Sequence, residues 1–300
     1  MTIIENALER AKALGVTQRT PAAPKVDPRL PHRQAARNDA QRSDLARSND
    51  TIPAPSVQFQ PHRVAVDPVW TRENRLLLSS SVMTDHAPIA AYGMLRTRLL
   101  HRARAQKWTT IGVTSAAPQD GKSLTALNLS LSLAREKNSS VVLIDLDLRN
   151  PTVCRDLGVE PPLELREFFE GKVPSPQDLF MSIGIDNLMF AGSVSSTSAA
   201  AELLANSKLD ELLEFIKKST THPLVIVDLP PLPSPDDALV VAPHLDAMLL
   251  VVSQGVTPIT EMHKAIELLS GFPVAGVVLN RATEGGRKYA YGYGGAYGPR

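Results

Sequence analysis

The chain has 300 residues, 43% of them hydrophobic and 21% charged, with a formal net charge of +1. That length can bury one core of ~200 residues with flanks to spare, and so neutral a balance excludes a protein acting through bulk positive charge. The single cysteine, Cys154, has no partner for an internal disulfide and no CxxC spacing for zinc; the seven histidines show no metal-ligand spacing. No apolar run approaches the ~20 residues of a membrane span, and MTIIENALER lacks the layout of a secretory signal, so a soluble cytoplasmic protein is expected.

In chain order, IIENALERAKAL at residues 3–14 places Ile4, Leu8 and Ala11 at helical spacing and predicts a short amphipathic helix. Residues 17–84 then carry eight prolines among Arg, Asp, Asn and Ser. Too little apolar surface is available there to offset ordering entropy, so 1–84 reads as a short helix followed by a disordered linker. A domain is expected over 85–283. Its predicted strands are 109–115, 141–146, 187–191, 223–228, 247–253 and 274–280, and its helices 88–105, 122–137, 199–218, 236–243 and 258–270. Runs such as VVLID, LVIVD and MLLVV are apolar on both faces, which a strand tolerates when helices cover both sides of a parallel sheet. The fold class is therefore α/β, a doubly wound, mostly parallel sheet of the P-loop NTPase type.

No Asp or Glu stands between Asp85 and Asp120, while Arg96, Arg98, Arg102, Arg104 and Lys107 do. With no interleaved aromatics, this basic stretch reads as a solvated face, a subunit contact or a contact with an anionic membrane surface, and no nucleic acid is expected as a partner. Residues 284–300, EGGRKYAYGYGGAYGPR, hold six of the 17 glycines and four of the five tyrosines, and predict a flexible tail.

The first chemical motif is AAPQDGKS, Ala116 to Ser123, between a predicted strand and helix. Backbone N–H groups from Gln119 to Ser123 can wrap a phosphate at a helix N-terminus, with Ala117, Pro118, Asp120 and Leu124 completing the loop. Gly121 allows close approach, Lys122 reaches β and γ oxygens, and Ser123 offers its hydroxyl to Mg²⁺. Ala116 stands where glycine is usual, which is tolerable if its φ is negative.

VVLIDLDLRNP then ends a strand with Asp145, Asp147 and Arg149 at alternate positions, placing the three on one side of an extended segment. Two close carboxylates need a cation between them, which Mg²⁺ bound to ATP supplies, leaving one to take a proton from a hydroxyl. The competing reading is an Asp that caps the next segment and pairs with Arg149. In LVIVDLPP, Asp228 ends another strand, either as a metal-orienting carboxylate or as turn chemistry before Pro230 and Pro231. In GVVLNRA, Asn280 either faces the adenine edge or satisfies loop backbone.

Taken together, AAPQDGKS, VVLIDLDLR, LVIVDLPP and the tyrosine tail resemble the bacterial tyrosine autokinases (BY-kinases) of exopolysaccharide and capsule synthesis, from about residue 88 to 300. The resemblance implies ATP- and Mg²⁺-dependent phosphorylation, in trans between copies of the chain, of Tyr289, Tyr291, Tyr293 and Tyr297. It implies that Lys122 and Ser123 hold phosphate and Mg²⁺, that Asp145 is the base, and that Asp147 and Asp228 serve the metal. The choice between Asp145 and Asp147 as base stays open. IIENALERAKAL resembles the start of soluble autokinases in exosortase-linked systems. That implies a separate inner-membrane chain-length regulator as partner, peripheral placement at the inner membrane through it, and a tyrosine phosphatase acting on the product.

Family members often carry a Glu-x-x-Arg-x-x-Arg helix that packs subunits into a ring; the stretch at 90–96 keeps only Arg96, removing charge-assisted hydrogen bonds from that interface. The competing class is the partitioning and septum-placing ATPases, which use nucleotide to switch dimerisation. Their extra lysine would fall at Ala117, and they have no use for a tyrosine tail.

Overall fold

The structure is a computed structural model that describes residues 59–78, 87–232 and 237–283. The predicted N-terminal helix and the tail with its four tyrosines lie outside the described residues. Among the described residues, eight strands form one sheet: β1 (His62–Arg63), β2 (Thr110–Ser115), β3 (Ser140–Asp145), β4 (Met181–Ser182), β5 (Leu188–Ala191), β6 (Pro223–Asp228), β7 (Ala247–Ser253) and β8 (Val274–Asn280). Their spatial order is β1-β4-β5-β3-β6-β2-β7-β8, parallel throughout except for the β4–β5 pair.

The apolar runs explain why the middle of this sheet is buried on both sides. In β3, Val142 and Ile144 join one core with Val225, Val227 and Leu250, covered by Leu204, Leu209, Leu212 and Ile216. Val141 and Leu143 face the other way, into a core with Ile111, Val113, Leu249, Leu99 and Leu127. Alternation thus sends successive residues of one strand into two separate cores. Helices Ala87–Gln106 and Lys122–Leu133 cover the second, while Lys208–Ser219 and Ile259–Leu268 serve the first.

The predicted helix 199–218 is two helices, Ala200–Leu204 and Lys208–Ser219. Asn206 separates them, its Oδ1 accepting from the N–H of Lys208 at 2.8 Å while its Nδ2 donates to the Phe169 carbonyl at 3.2 Å. A side chain that bonds nearby backbone offers an alternative to the helical ladder, which periodicity alone does not register. Helices Val153–Leu157 and Leu165–Phe169 are too short to show a period.

The linker expectation also needs correction. Residues 59–78 contribute β1, paired with β4, and helix Pro68–Glu73. Asp67 caps that helix by accepting from the N–H of Val69 at 2.7 Å, and Pro68 opens it, a start signal that was present in the sequence. Phe59 packs on Phe180 and Phe215 with ring centroids 5.4 and 5.1 Å away.

Gly112 in β2 sits under three side chains: a Cβ there would lie 2.7 Å from Leu245 Cδ1 and 2.8 Å from both Leu229 Cδ1 and Met248 Sδ. Gly112→Val overpacks this point, and urea unfolding is expected to show a loss of about 1–3 kcal/mol. An unchanged midpoint would show that the core has room for the branch.

Candidate nucleotide site

The phosphate loop runs from the tip of β2 to the helix Lys122–Leu133, a 12-residue helix opened by Gly121 at φ 89°. Positive φ falls on Gln119 (64°) and Gly121, and not on Ala116, so alanine at the loop's start meets the condition its side chain imposes. Gly121 is needed for space as well: a Cβ there would lie 2.3 Å from Asn280 Nδ2.

The loop is stitched to its surroundings by Asp120, whose side chain is fully buried. Asp120 Oδ2 accepts from the N–H of Ala117 at 2.9 Å, and its Oδ1 accepts from the Thr257 hydroxyl at 2.6 Å. Its carbonyl accepts from the Ser253 hydroxyl at 3.0 Å and from Asn280 Nδ2 at 2.8 Å. Asn280 therefore takes the second role open to it, satisfying loop backbone, while its Oδ1 accepts from the N–H of Arg281. Arg281 reaches back to donate to the Gln119 carbonyl at 2.8 Å. Ser253, Thr257 and Arg281 were missed in the sequence; the available signal was that they flank the tips of β7 and β8, where ligands of open α/β sheets bind.

Four ionisable side chains converge at the strand tips. Lys122 Nζ stands 2.8 Å from Asp147 Oδ2 and 3.1 Å from Ser123 Oγ. Asp145 and Asp228 are partners across the β3–β6 ladder, and both are wholly buried. Burial opposes the Lys122 charge, but Asp228, Asp147 and Asp145 outweigh it and push its pKa up to about 12. For Asp145, burial and then the Asp228 charge raise the pKa to about 8, against the N–H groups of Val153 and Thr152 and the Lys122 ammonium. Asp228 rises to about 6, again chiefly through burial, with Lys122 and the Ser123 hydroxyl opposing.

The two strand-end aspartates of VVLIDLDLR are not equivalent. Asp145 Oδ2 accepts from the N–H groups of Thr152 and Val153 at 2.9 and 3.0 Å, and its Oδ1 accepts from that of Asp147 at 3.1 Å. It caps the following segment, which is the competing reading for one Asp of this motif. Asp147 is the carboxylate against Lys122, and it also accepts from the N–H of Asn150. Arg149 departs from the expected geometry because β3 ends at Asp145 and the chain turns, breaking the alternation. Its guanidinium forms a two-pronged pair with Asp237 and donates to the Ser198 carbonyl at 2.8 Å, so it does not join the cluster.

Both oxygens of Asp228 are buried without a hydrogen-bond partner. The charge of Lys122 offsets part of the cost of burying that carboxylate, and a Mg²⁺ ion with its waters would supply further partners. The donor set fits: hard oxygens from Ser123, Asp147 and Asp228 beside a loop of backbone N–H groups and a lysine. A groove of about 860 Å³ lies between helix Ala87–Gln106 and β8, and its lining includes no carboxylate.

A phosphate loop at the tip of a central parallel strand, with a carboxylate facing it from the next strand, defines the P-loop class of nucleotide-binding α/β protein. No protein-family model matches the chain. It is 32% identical over 189 residues to the tyrosine-protein kinase CpsD of Streptococcus pneumoniae, covering 61% of this chain and 80% of that one. It is 30% identical over 201 residues to the tyrosine-protein kinase YwqD of Bacillus subtilis, covering 66% and 83%. The solved VpsO kinase domain superposes with a TM-score of 0.57 at 27% identity, covering 65% of this chain and 95% of that domain. The chain belongs to the bacterial tyrosine-protein kinases.

A group whose folded pKa lies above its unfolded value contributes stability that is present at low pH and lost as pH rises through the folded pKa. With folded values of about 6 for Asp228 and about 8 for Asp145, above 3.8, the nucleotide- and metal-free protein is expected to melt lower at pH 8 than at pH 5. Asp228→Asn should recover melting temperature at pH 8 and change little at pH 5. An equal shift at both would show that charge burial is not the cause.

Proposed function

We propose that the chain transfers the γ-phosphoryl group of ATP to Tyr289, Tyr291, Tyr293 and Tyr297 of a neighbouring copy, within exopolysaccharide or capsule synthesis. What carries this reading is the Lys122–Asp147 pair beside a buried Asp228 with two unpartnered oxygens. Such an arrangement holds too much negative charge for one ammonium and suits a metal–phosphate complex.

Ser123, Asp147 and Asp228 would hold Mg²⁺, which neutralises charge on the β and γ oxygens. Lys122 turns from Asp147 to those same oxygens, freeing the carboxylate. Backbone N–H groups of the loop, fixed by Asp120, bind phosphate without having to reorganise. The tyrosine oxygen bonds to the γ-phosphorus as the bond to the β–γ bridging oxygen breaks. Its proton passes to an aspartate at the tip of β3. With Asp147 at the metal, that base is Asp145, which would give up one of the backbone N–H bonds that occupy its oxygens. Arg149 positions the turn after β3 through Asp237 and does not touch phosphate in this reading. A membrane chain-length regulator and a tyrosine phosphatase complete the proposed system, with the chain at the inner membrane through the regulator.

Purified protein is incubated with Mg²⁺ and ATP and blotted for phosphotyrosine, beside Lys122→Met, Asp147→Asn and a chain ending at Arg281. Lys122→Met and Asp147→Asn are each expected to cost about 10²-fold or more in rate, and the shortened chain should give no signal. Mixing Lys122→Met with active shortened chain should restore phosphotyrosine on the full-length partner if transfer is in trans. ATP hydrolysis without phosphotyrosine would sink the kinase reading in favour of a partitioning-type switch.

A further inference from the structure

Residues 59–78 contact the helix that carries Lys122 and Ser123 and a second helix that Asp145 caps. Helix Lys122–Leu133 begins with Lys122 and Ser123; five residues beyond Ser123, or about 8 Å along the axis, stands Asn128, buried to 2% exposure. Its Oδ1 accepts from the N–H of Leu77 at 2.9 Å and its Nδ2 donates to the Arg75 carbonyl at 3.1 Å. The amide thus reads the backbone of this strap in both directions, while Leu76 and Leu77 are buried beside it. Tyr92, from helix Ala87–Gln106, brings its hydroxyl to Thr125 and Asn128 from the other side.

The strap's geometry is set for this contact. Helix Pro68–Glu73 ends with Arg75 at φ 60° and the N–H of Leu76 bonded back to the Thr71 carbonyl at 2.8 Å. A left-handed residue at a helix end is ordinarily glycine, and arginine is strained there. That turn aims the Arg75 carbonyl and the Leu77 N–H at one side chain.

Through Trp70 the strap also grips the helix that Asp145 caps. Trp70 donates to the Asp156 carbonyl at 3.2 Å and lies against Gly158, where a Cβ would come within 2.8 Å of the indole. Asp156 belongs to helix Val153–Leu157, whose first N–H groups are held by Asp145.

We propose that the strap is a coupling element of the nucleotide site, with Asn128 as the positioning residue that ties it to the helix bearing Lys122 and Ser123. Undocking leaves the Asn128 amide without its two strap partners and removes Trp70 from the Asp145-capped helix, so Lys122, Ser123 and Asp147 lose their fixed spacing. By linkage, nucleotide bound at the site holds the strap down, and whatever moves the strap changes nucleotide affinity by the same factor. Residues 1–58, which precede the strap, are thereby given a mechanical route to the kinase site. This inference rests on nucleotide binding at the phosphate loop, as read above.

Arg72 and Arg75 are exposed on the strap and make it cleavable by trypsin once it lifts. The full chain is digested with and without Mg²⁺ and ADP, while ADP binding is followed separately by calorimetry. Cleavage at these two arginines is expected to slow at least several-fold with ADP. In Trp70→Ala, an exposed position whose loss leaves the core intact, and in Asn128→Leu, that protection should shrink. The KM for ATP should rise about three- to tenfold, the scale of a hydrogen bond or two, with kcat falling less. If ADP binds and the strap is cut at an unchanged rate, the coupling is wrong. If ADP does not bind at all, the nucleotide reading itself fails.

Discussion

The site depends on one electrostatic imbalance: a single buried ammonium facing three buried carboxylates. Lys122 is held by Asp147 at 2.8 Å, with Asp145 and Asp228 next to each other on adjacent strands. The sheet creates the problem, because parallel strands end together and bring their terminal aspartates side by side in a region that water does not reach. Asp145 is stabilised by three backbone N–H groups and Asp147 by direct contact with the lysine, whereas Asp228 has no backbone N–H and draws on the charge of Lys122 alongside the Ser123 hydroxyl. That residual negative charge is what a metal–phosphate complex would balance.

Around this cluster the fold supplies rigidity in layers. Asp120 and Asn280 fix the loop from inside, and Arg281 reaches it from the last described residues before the tyrosine tail. On the far side of helix Lys122–Leu133, Asn128 ties the helix to the strap. The phosphate loop and its helix are thus tied to the strap on one side and to Arg281 on the other.

Legibility in the sequence followed the range of the interaction. The β2, β3, β6, β7 and β8 strands could be placed to within a residue because their apolar runs are long and bounded by polar tips. Short elements such as Val153–Leu157, and the break at Asn206, are decided by one side chain bonding a backbone group and leave no periodic trace. The strap was misread for a related reason: its prolines and charges resemble a linker, yet it needs only Phe59, Trp70, Leu76 and Leu77 to find a surface made elsewhere in the chain.

The class of site was legible in the chain alone, since a strand, a glycine-bearing loop and a lysine–serine pair opening a helix form a local unit that can be recognised within one stretch of sequence. The positions of Asp145 and Asp228 at strand ends were legible as well, because the apolar runs VVLI and LVIV stop there. What each does came from the folded arrangement: Asp145 caps a helix, Asp147 meets the lysine, Asp228 is buried across the ladder from Asp145 and Arg149 turns to Asp237. Those roles depend on which groups from other strands and loops lie within about 3 Å, a relation between residues up to 88 positions apart that no local pattern encodes.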